Sequence, residues 1–351
     1  MLACARMLLS LCLCIPAAIF ADENRPPPAY SARVINPKLT GSLFESSTRT
    51  LLSWGTDGAV MYSTDGTRFS WADTPTDADL SRIATDARGK VLIAVGERGV
   101  ILRSEDAGRR WSSADARGVT SDLRSVIHHP ASGAWIAVGT QGTILRSLDA
   151  GRTWIRLEHD LQLTFESLFI TPNDGSLLIG GEAGLVGRST DAGVSWKLTR
   201  IRMEEPLTPI TAFHALPGQL LATSAMGRFL TSNDHGVTWE LQSMGGNAYF
   251  TDVIFDPEHR VSLMTSHTGD VFRREGDNSW ERVELTFDGQ KRYLSAIRHD
   301  PRTRLLLAVG HHGLAARSSD GGRTWQQAEL GFTTSIESLA QLDDGRYIGF
   351  G

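Results

Sequence analysis

Gly139-Thr140-Gln141-Gly142-Thr143-Ile144-Leu145-Arg146-Ser147-Leu148-Asp149-Ala150-Gly151-Arg152-Thr153-Trp154 decides the fold of this chain. The end of the stretch, Ser-x-Asp-x-Gly-x-x-Trp, recurs intact at Ser104–Trp111, Ser189–Trp196, Ser232–Trp239 and Ser318–Trp325. Two further copies are worn. Ser63-Asp65 has its glycine one place early, at Gly66, and Arg273-Glu275-Asp277-Trp280 keeps the tryptophan. Measured from the serine position, the copies lie 41, 43, 42, 43, 41 and 45 residues apart. A period of this length is the mark of a repeat architecture.

Working outward, each motif follows an Ala-Val-Gly-x-x-Gly element, clearest at Ala94–Gly99, Ala137–Gly142 and Ala308–Gly313, and before that an apolar stretch ending in a turn. One unit therefore reads as four short strands. In the third unit these are Arg124–His128 (A), Trp135–Val138 (B), Thr143–Ser147 (C) and Trp154–Leu157 (D), with Gly, Pro, Asp and Ser at the turns. Strands this short bury nothing alone. Four-stranded units arranged radially do, so the chain is expected to be an all-β propeller. Seven copies of the motif predict seven blades, with eight as the alternative. Ser335–Gln341 and Arg346–Gly351 read as strands A and B of a further unit, and Tyr30–Asn36 reads as a strand from the other end that would help close the ring.

The motif has a local task. Its Asp and Ser can hold backbone N–H groups of the C–D turn, its Gly takes a backbone conformation costly for other residues, and its Trp covers the turn. Asp65, Asp106, Asp149, Asp191, Asp234 and Asp320, with Trp111, Trp154, Trp196, Trp239, Trp280 and Trp325, are therefore read as structural and not as catalytic acids.

These residues resemble the Asp-box, or BNR, repeat. The longer form Gly-x-x-Gly-x-Ile-Leu-Arg-Ser-x-Asp-x-Gly-x-x-Trp, in Gly96–Trp111 and Gly139–Trp154, is similar to the photosystem II stability and assembly factor family of plants and cyanobacteria, which has relatives in non-photosynthetic bacteria. The resemblance implies a propeller that binds membrane-protein clients and is not an enzyme. Asp boxes also occur in sialidases and other glycoside hydrolases, and a sialidase-like glycoside hydrolase or a carbohydrate-binding propeller is the alternative. Such an enzyme would need three converging arginines, a Tyr–Glu pair, an acidic Asp and an Arg-Ile-Pro signature. The nearest stretch, Arg33-Val34-Ile35-Asn36-Pro37, does not match.

The chain begins with what reads as an export signal. Arg6 is followed by the apolar run Met7–Phe20, with Ala21 at the cleavage position. The expected organisation is a signal peptide over 1–21, an extended linker over 22–37 that contains three consecutive prolines, and a propeller over 38–351. The product would be an exported protein of the periplasm, or of an equivalent of the thylakoid lumen, peripheral to a membrane at most and monomeric. All 3 cysteines fall in the leader, so the processed chain has no thiol or disulfide chemistry. The formal charge of −5 carries no basic excess that would suggest nucleic acid, and no metal or cofactor is expected.

Consecutive hairpins of a blade point to opposite faces, and the B–C loops and D–A connections vary most between units. Candidate binding residues on that face are Asp57, Glu97, Arg98, Gln141, Glu182, His267, His311, His312, Arg202, Tyr249 and Arg292. Glu204-Glu205 and His311-His312 are better explained as solvated loops than as an acid pair or a metal site. A second candidate is the row of arginines just before the motif serine, Arg103, Arg146, Arg188 and Arg317. It reads either as inter-blade hydrogen bonding or as a positive patch for an acidic client segment. The assembly-factor resemblance favours a membrane or envelope protein as that client.

Overall fold

The computed structural model describes residues 10–15, 33–35, 37–201, 208–287, 289–328 and 333–351, the first two as backbone strands. Seven blades are each built from four consecutive antiparallel strands: residues 39–71, 80–113, 123–156, 165–200, 212–243, 250–284 and 294–327. In blade 3 the strands are Leu123–His129, Ala134–Gly139, Ile144–Ser147 and Ile155–Arg156, within a residue or two of the sequence reading. Strands A of successive blades face one another around the ring, and strands D lie outside. Among the described residues no helix is long and apolar enough to cross a membrane.

The chain ends form one further sheet between blades 7 and 1. Ser338–Gln341 and Tyr347–Phe350 supply its first two strands, Ser10–Ile15 the third and Arg33–Ile35 the fourth. The two ends do share a sheet, as the sequence suggested. Arg33–Ile35 pairs with Ser10–Ile15, which lies inside the stretch read as a leader, and not with the C-terminal strand. The remainder of 1–36 lies outside the described residues.

The core lies between blades. Val91, Ile93, Val95 and Ile101 of blade 2 pack against Val126, Trp135, Ala137, Leu145 and Trp154 of blade 3. Strands B and C are covered on both faces, so they read as continuous apolar runs such as Trp135–Val138. Strand D is exposed and short. Motif tryptophans are among the largest side chains in these seams, and Trp154 is fully buried. Cutting such a residue to Ala costs about 3–5 kcal/mol.

The Asp box behaves as its chemistry requires. In blade 3, Gly151 N–H donates to Ser147 Oγ (3.0 Å), and Ser147 Oγ–H donates to Asp149 Oδ1 (2.8 Å). Asp149 also accepts from the N–H and hydroxyl of Thr153 (2.9 and 2.7 Å), and Trp154 Nε1–H donates to Gly151 O (3.1 Å). Burial pushes the Asp149 carboxyl up, but these hydrogen bonds outweigh it and hold the pKa at about 2. The same balance gives about 2 at Asp191, Asp234 and Asp320. The worn copy of blade 1 still works. Asp65 accepts from Thr67 N–H and Arg68 N–H, both 2.8 Å, and also sits at about 2, chiefly through the Arg68 bond.

One glycine of the second element has a plain cause. A Cβ on Gly139 would lie 1.9 Å from Asp122 O, because strand A of the blade begins there against the end of strand B.

Candidate functional site

On the face opposite the Asp boxes, each blade presents two positions: the residue before strand A and the first residue of the B–C turn. In blades 2, 3, 4, 6 and 7 they are tied by one bond. The N–H groups of Glu97, Thr140, Glu182, His267 and His311 donate to the carbonyls of Asp79, Asp122, Thr164, Tyr249 and Tyr293. The second turn residue is left-handed in six blades: Asp57, Arg98, Gln141, Ala183, Met226 and His312, with φ from 54° to 63°. A conformation repeated around the ring belongs to the turn and does not mark one site.

The side chains divide the mouth into two arcs. Over blades 1 to 4 it is acidic, and several carboxylates serve neighbouring backbone. Asp79 Oδ1 accepts from Asp57 N–H (2.9 Å), Asp122 Oδ1 from Arg98 N–H (3.0 Å), and Glu182 Oε2 from Thr164 N–H (2.9 Å). Arg98 pairs with Asp77, and Gln141 Oε1 accepts from Ser121 Oγ–H (3.1 Å). Over blades 6 and 7 the arc is aromatic. Tyr249 meets His267 edge-on at 5.0 Å, His267 meets Tyr293 at 6.4 Å, and Tyr293 stacks on His311 at 4.1 Å with an interplanar angle of 15°. His267 Nδ1 accepts from Tyr249 N–H (2.8 Å), which fixes the tautomer with the proton on Nε2. The strip ends at Glu337, whose Oε1 lies 3.4 Å from His311 Nε2 and 3.3 Å from Lys38 Nζ. Burial, reinforced by the Glu337 charge, pushes the Tyr293 phenol up. Tyr249 is half exposed, and the rings behind it are partly covered.

Of the loop-face candidates, His267, His311 and Tyr249 are thus brought together, with Arg292 beside them reaching His312 O (3.4 Å). Asp57, Glu97, Arg98, Gln141 and Glu182 lie on the acidic arc. Arg202, Glu204 and Glu205 lie outside the described residues. Sequence reasoning left out Tyr293, Glu337 and Lys38 as members of the site. A signal for the strip was present: Tyr249 and Tyr293, like His267 and His311, stand one repeat apart, 44 residues in each case.

The arginine row has a structural use. Arg103 Nε donates to Ala150 O (2.7 Å), Arg146 Nε to Ala192 O (3.0 Å) and Arg188 Nε to His235 O (3.2 Å), each bond crossing to the Asp box of the next blade. Arg273 does the same to Gly321 O (2.8 Å), and Arg346 latches the terminal sheet to Asp65 O (2.7 Å). Carboxylates offset much of the charge: Arg103 pairs with Glu105, Arg188 with Asp174, and Arg273 with Glu275. Arg317 Nε donates to Gln326 Oε1 (3.2 Å) on its own blade. Arg188 also lines a cleft of about 230 Å³ between blades 4 and 5, with Lys197 and Trp239.

The channel side carries charges that interact across blades. Burial pushes His214 down against the pull of Asp252, which is itself paired with Arg298. Burial raises the Glu166 carboxyl against the pull of Arg124, and Glu182 adds to the rise. Among the described residues no group of three or more His, Cys, Asp or Glu side chains is placed to hold a metal ion, and no tyrosine hydroxyl bonds a carboxylate.

Known proteins set this geometry in context. A structure of YCF48 bound to D1 peptide is 17% identical, covers 79% of this chain and 92% of its own, and superposes with a TM-score of 0.55. YCF48 from Cyanidioschyzon merolae is 16% identical, covers 80% and 97%, and has a TM-score of 0.57. Dihydro-heme d1 dehydrogenase NirN, in complex with DHE, is 11% identical, covers 93% and 74%, and has a TM-score of 0.68. At these identities the likeness is one of fold. No curated protein sequence matches the chain. The family described as photosynthesis system II assembly factor YCF48 does match, over residues 61–342, and the chain belongs to that family.

Proposed function

We propose that this protein is an exported, non-catalytic scaffold whose loop face binds a polypeptide segment of a membrane or envelope protein during assembly of its complex. The carrying observation is the Tyr249–His267–Tyr293–His311 strip on that face. Flat rings with polar tips, held by the backbone of two adjacent blades, are the side chains that dominate protein-binding surfaces. The Asp-box carboxylates, in contrast, are taken up by their own turns and held ionised, which suits them poorly to proton transfer at neutral pH. The family supports the reading, and the relative bound to D1 peptide shows that such a propeller can hold a peptide. Export rests on the Arg6 and Met7–Phe20 pattern, and the protein acts as a monomer beside the membrane.

The test is capture from detergent-solubilised envelope with the chain from Asp22 onward, followed by measured binding of the captured protein's soluble segments. A Tyr249→Ala/His311→Ala variant is expected to lose at least tenfold in affinity with its thermal midpoint unchanged. Equal binding by wild type and variant would remove the strip from the site. Turnover of a glycoside substrate by the wild type, lost in the variant, would replace the scaffold with the hydrolase alternative.

A further inference from the structure

The seam between blades 4 and 5 departs from the others at its outer end. In blade 3, strand D sets Ile155 opposite Arg146 and Leu157 opposite Ile144, and Leu157 packs on blade 4. The counterparts of Leu157 in blades 1, 2, 6 and 7 are Ala72, Ala114, Val283 and Ala328, all apolar and all packed in their own seams. Blades 4 and 5 have Thr199 and Gln242 there instead. At the place of Ile155, blade 4 has Lys197, the one cation among the seven counterparts. With Lys197 and Thr199 in these places the seam keeps a cleft of about 230 Å³, closed on the far side by Val237 and Trp239 of the blade 5 Asp box.

The cleft offers donors and lacks a charge to meet them. Arg188 and Lys197 stand opposite each other on paired strands, where like charges repel. Arg188 is partly neutralised by Asp174 (2.6 Å), and its Nε is held by His235 O. Lys197 has no ion pair among the described residues, and no carboxylate lines the cleft. Ser195 Oγ is committed, donating to Asp191 (2.6 Å). The hydroxyls of Thr190 and Thr199 make no hydrogen bond among the described residues, and both line the cleft. Trp239 is partly buried, with Phe213 packed against it at 5.7 Å.

We propose that this cleft binds a single sugar ring carrying a carboxylate, of the hexuronic-acid class. The Lys197 ammonium, with Arg188 behind it, takes the carboxylate. Thr190 and Thr199 exchange hydrogen bonds with ring hydroxyls, and the indole of Trp239 covers the apolar C–H face of the ring. An acidic peptide side chain would use the lysine and leave the two hydroxyls and the indole without partners. The volume lies below the ~300–1,000 Å³ of sites for drug-sized ligands, which suits one ring. The site is separate from the Tyr249–His311 strip, because the Asp boxes and the strip lie on opposite faces of the ring.

Ligand-observed NMR on the full chain tests this, with D-glucuronate as the probe and D-glucose, acetate and a blocked glutamate peptide beside it. Lys197→Gln removes the charge and keeps the cleft. Lys197→Ile/Thr199→Leu copies the blade 3 pair and fills the cleft with side chains that the ring already accommodates next door; its thermal midpoint reports that it folds. Glucuronate is expected to bind at one site, about tenfold or more tighter than glucose or acetate, the worth of a hydrogen bond to a charged group. Lys197→Gln should reduce glucuronate to the level of glucose, and the double variant should lose both sugars with its midpoint unchanged or raised. Absence of saturable glucuronate binding would overturn the proposal. So would acetate or the glutamate peptide binding as tightly as glucuronate, which would make the cleft a bare anion or peptide site, and so would unchanged binding by the folded double variant.

Discussion

Replacing Arg103 with Met separates a latch from a binding patch. Arg103 is buried, its Nε donates to Ala150 O of the next blade, and its other end meets Glu105. Met keeps the apolar stem and removes the donor. An interior carbonyl left without its partner costs about 1–3 kcal/mol. The Glu105 pair adds little, since that carboxylate is more than half exposed. A loss of about 2 kcal/mol follows. A fold of this size has an unfolding entropy of about 0.65 kcal/mol per kelvin, from ~2.1 cal/mol/K per residue, so the thermal midpoint falls by about 3 °C. Arg110→Met provides the contrast, because Arg110 is exposed and its Nε bonds Asp106 of its own turn. It should shift the midpoint by less than 1 °C. The assay is differential scanning calorimetry at one scan rate, with client binding measured on both variants. Equal midpoints for the two would refute the latch. Loss of client binding by Arg103→Met with an unchanged midpoint would restore the patch.

Other outcomes follow from the same geometry. Asp149, Asp191, Asp234 and Asp320 sit at about 2, below the ordinary carboxylate value, so their contribution to stability is full above about pH 4 and is lost as pH falls toward 2; a pH series of thermal midpoints should drop across that window, less steeply in Asp149→Asn/Asp191→Asn. Ala107, Ala150 and Ala192 hold φ near 59° beside the motif glycine, so Ala150→Gly should stabilise by about 0.5–1 kcal/mol, read as a rise in midpoint. Gly139→Ala forces a Cβ to 1.9 Å from Asp122 O and should cost at least about 2 kcal/mol, with faster amide exchange at the start of strand A in blade 3.

Much of this protein was legible because its information is local and repeated. Ser147, Asp149, Gly151 and Trp154 satisfy one another within eight residues, so their spacing announces the turn, the strand before it and the repeat. The same locality made the carboxylates readable as structural. The row of Arg103, Arg146 and Arg188 was legible as a row, but its use was not, because each partner carbonyl lies 46 or 47 residues away on the next blade.

What the tertiary structure decided is everything that depends on which blade stands beside which. Tyr293 and His311 are 18 residues apart and stack only because strand A and the B–C turn of one blade meet at the mouth. Glu337 and Lys38 come from opposite ends of the chain and share a contact because the ring closes between them. The terminal sheet depends on closure as well, since its four strands come from both ends of the sequence. Turn chemistry acts over a few residues and is written in the order of the chain. Ring closure brings together residues that the chain keeps far apart, and no local spacing encodes that contact.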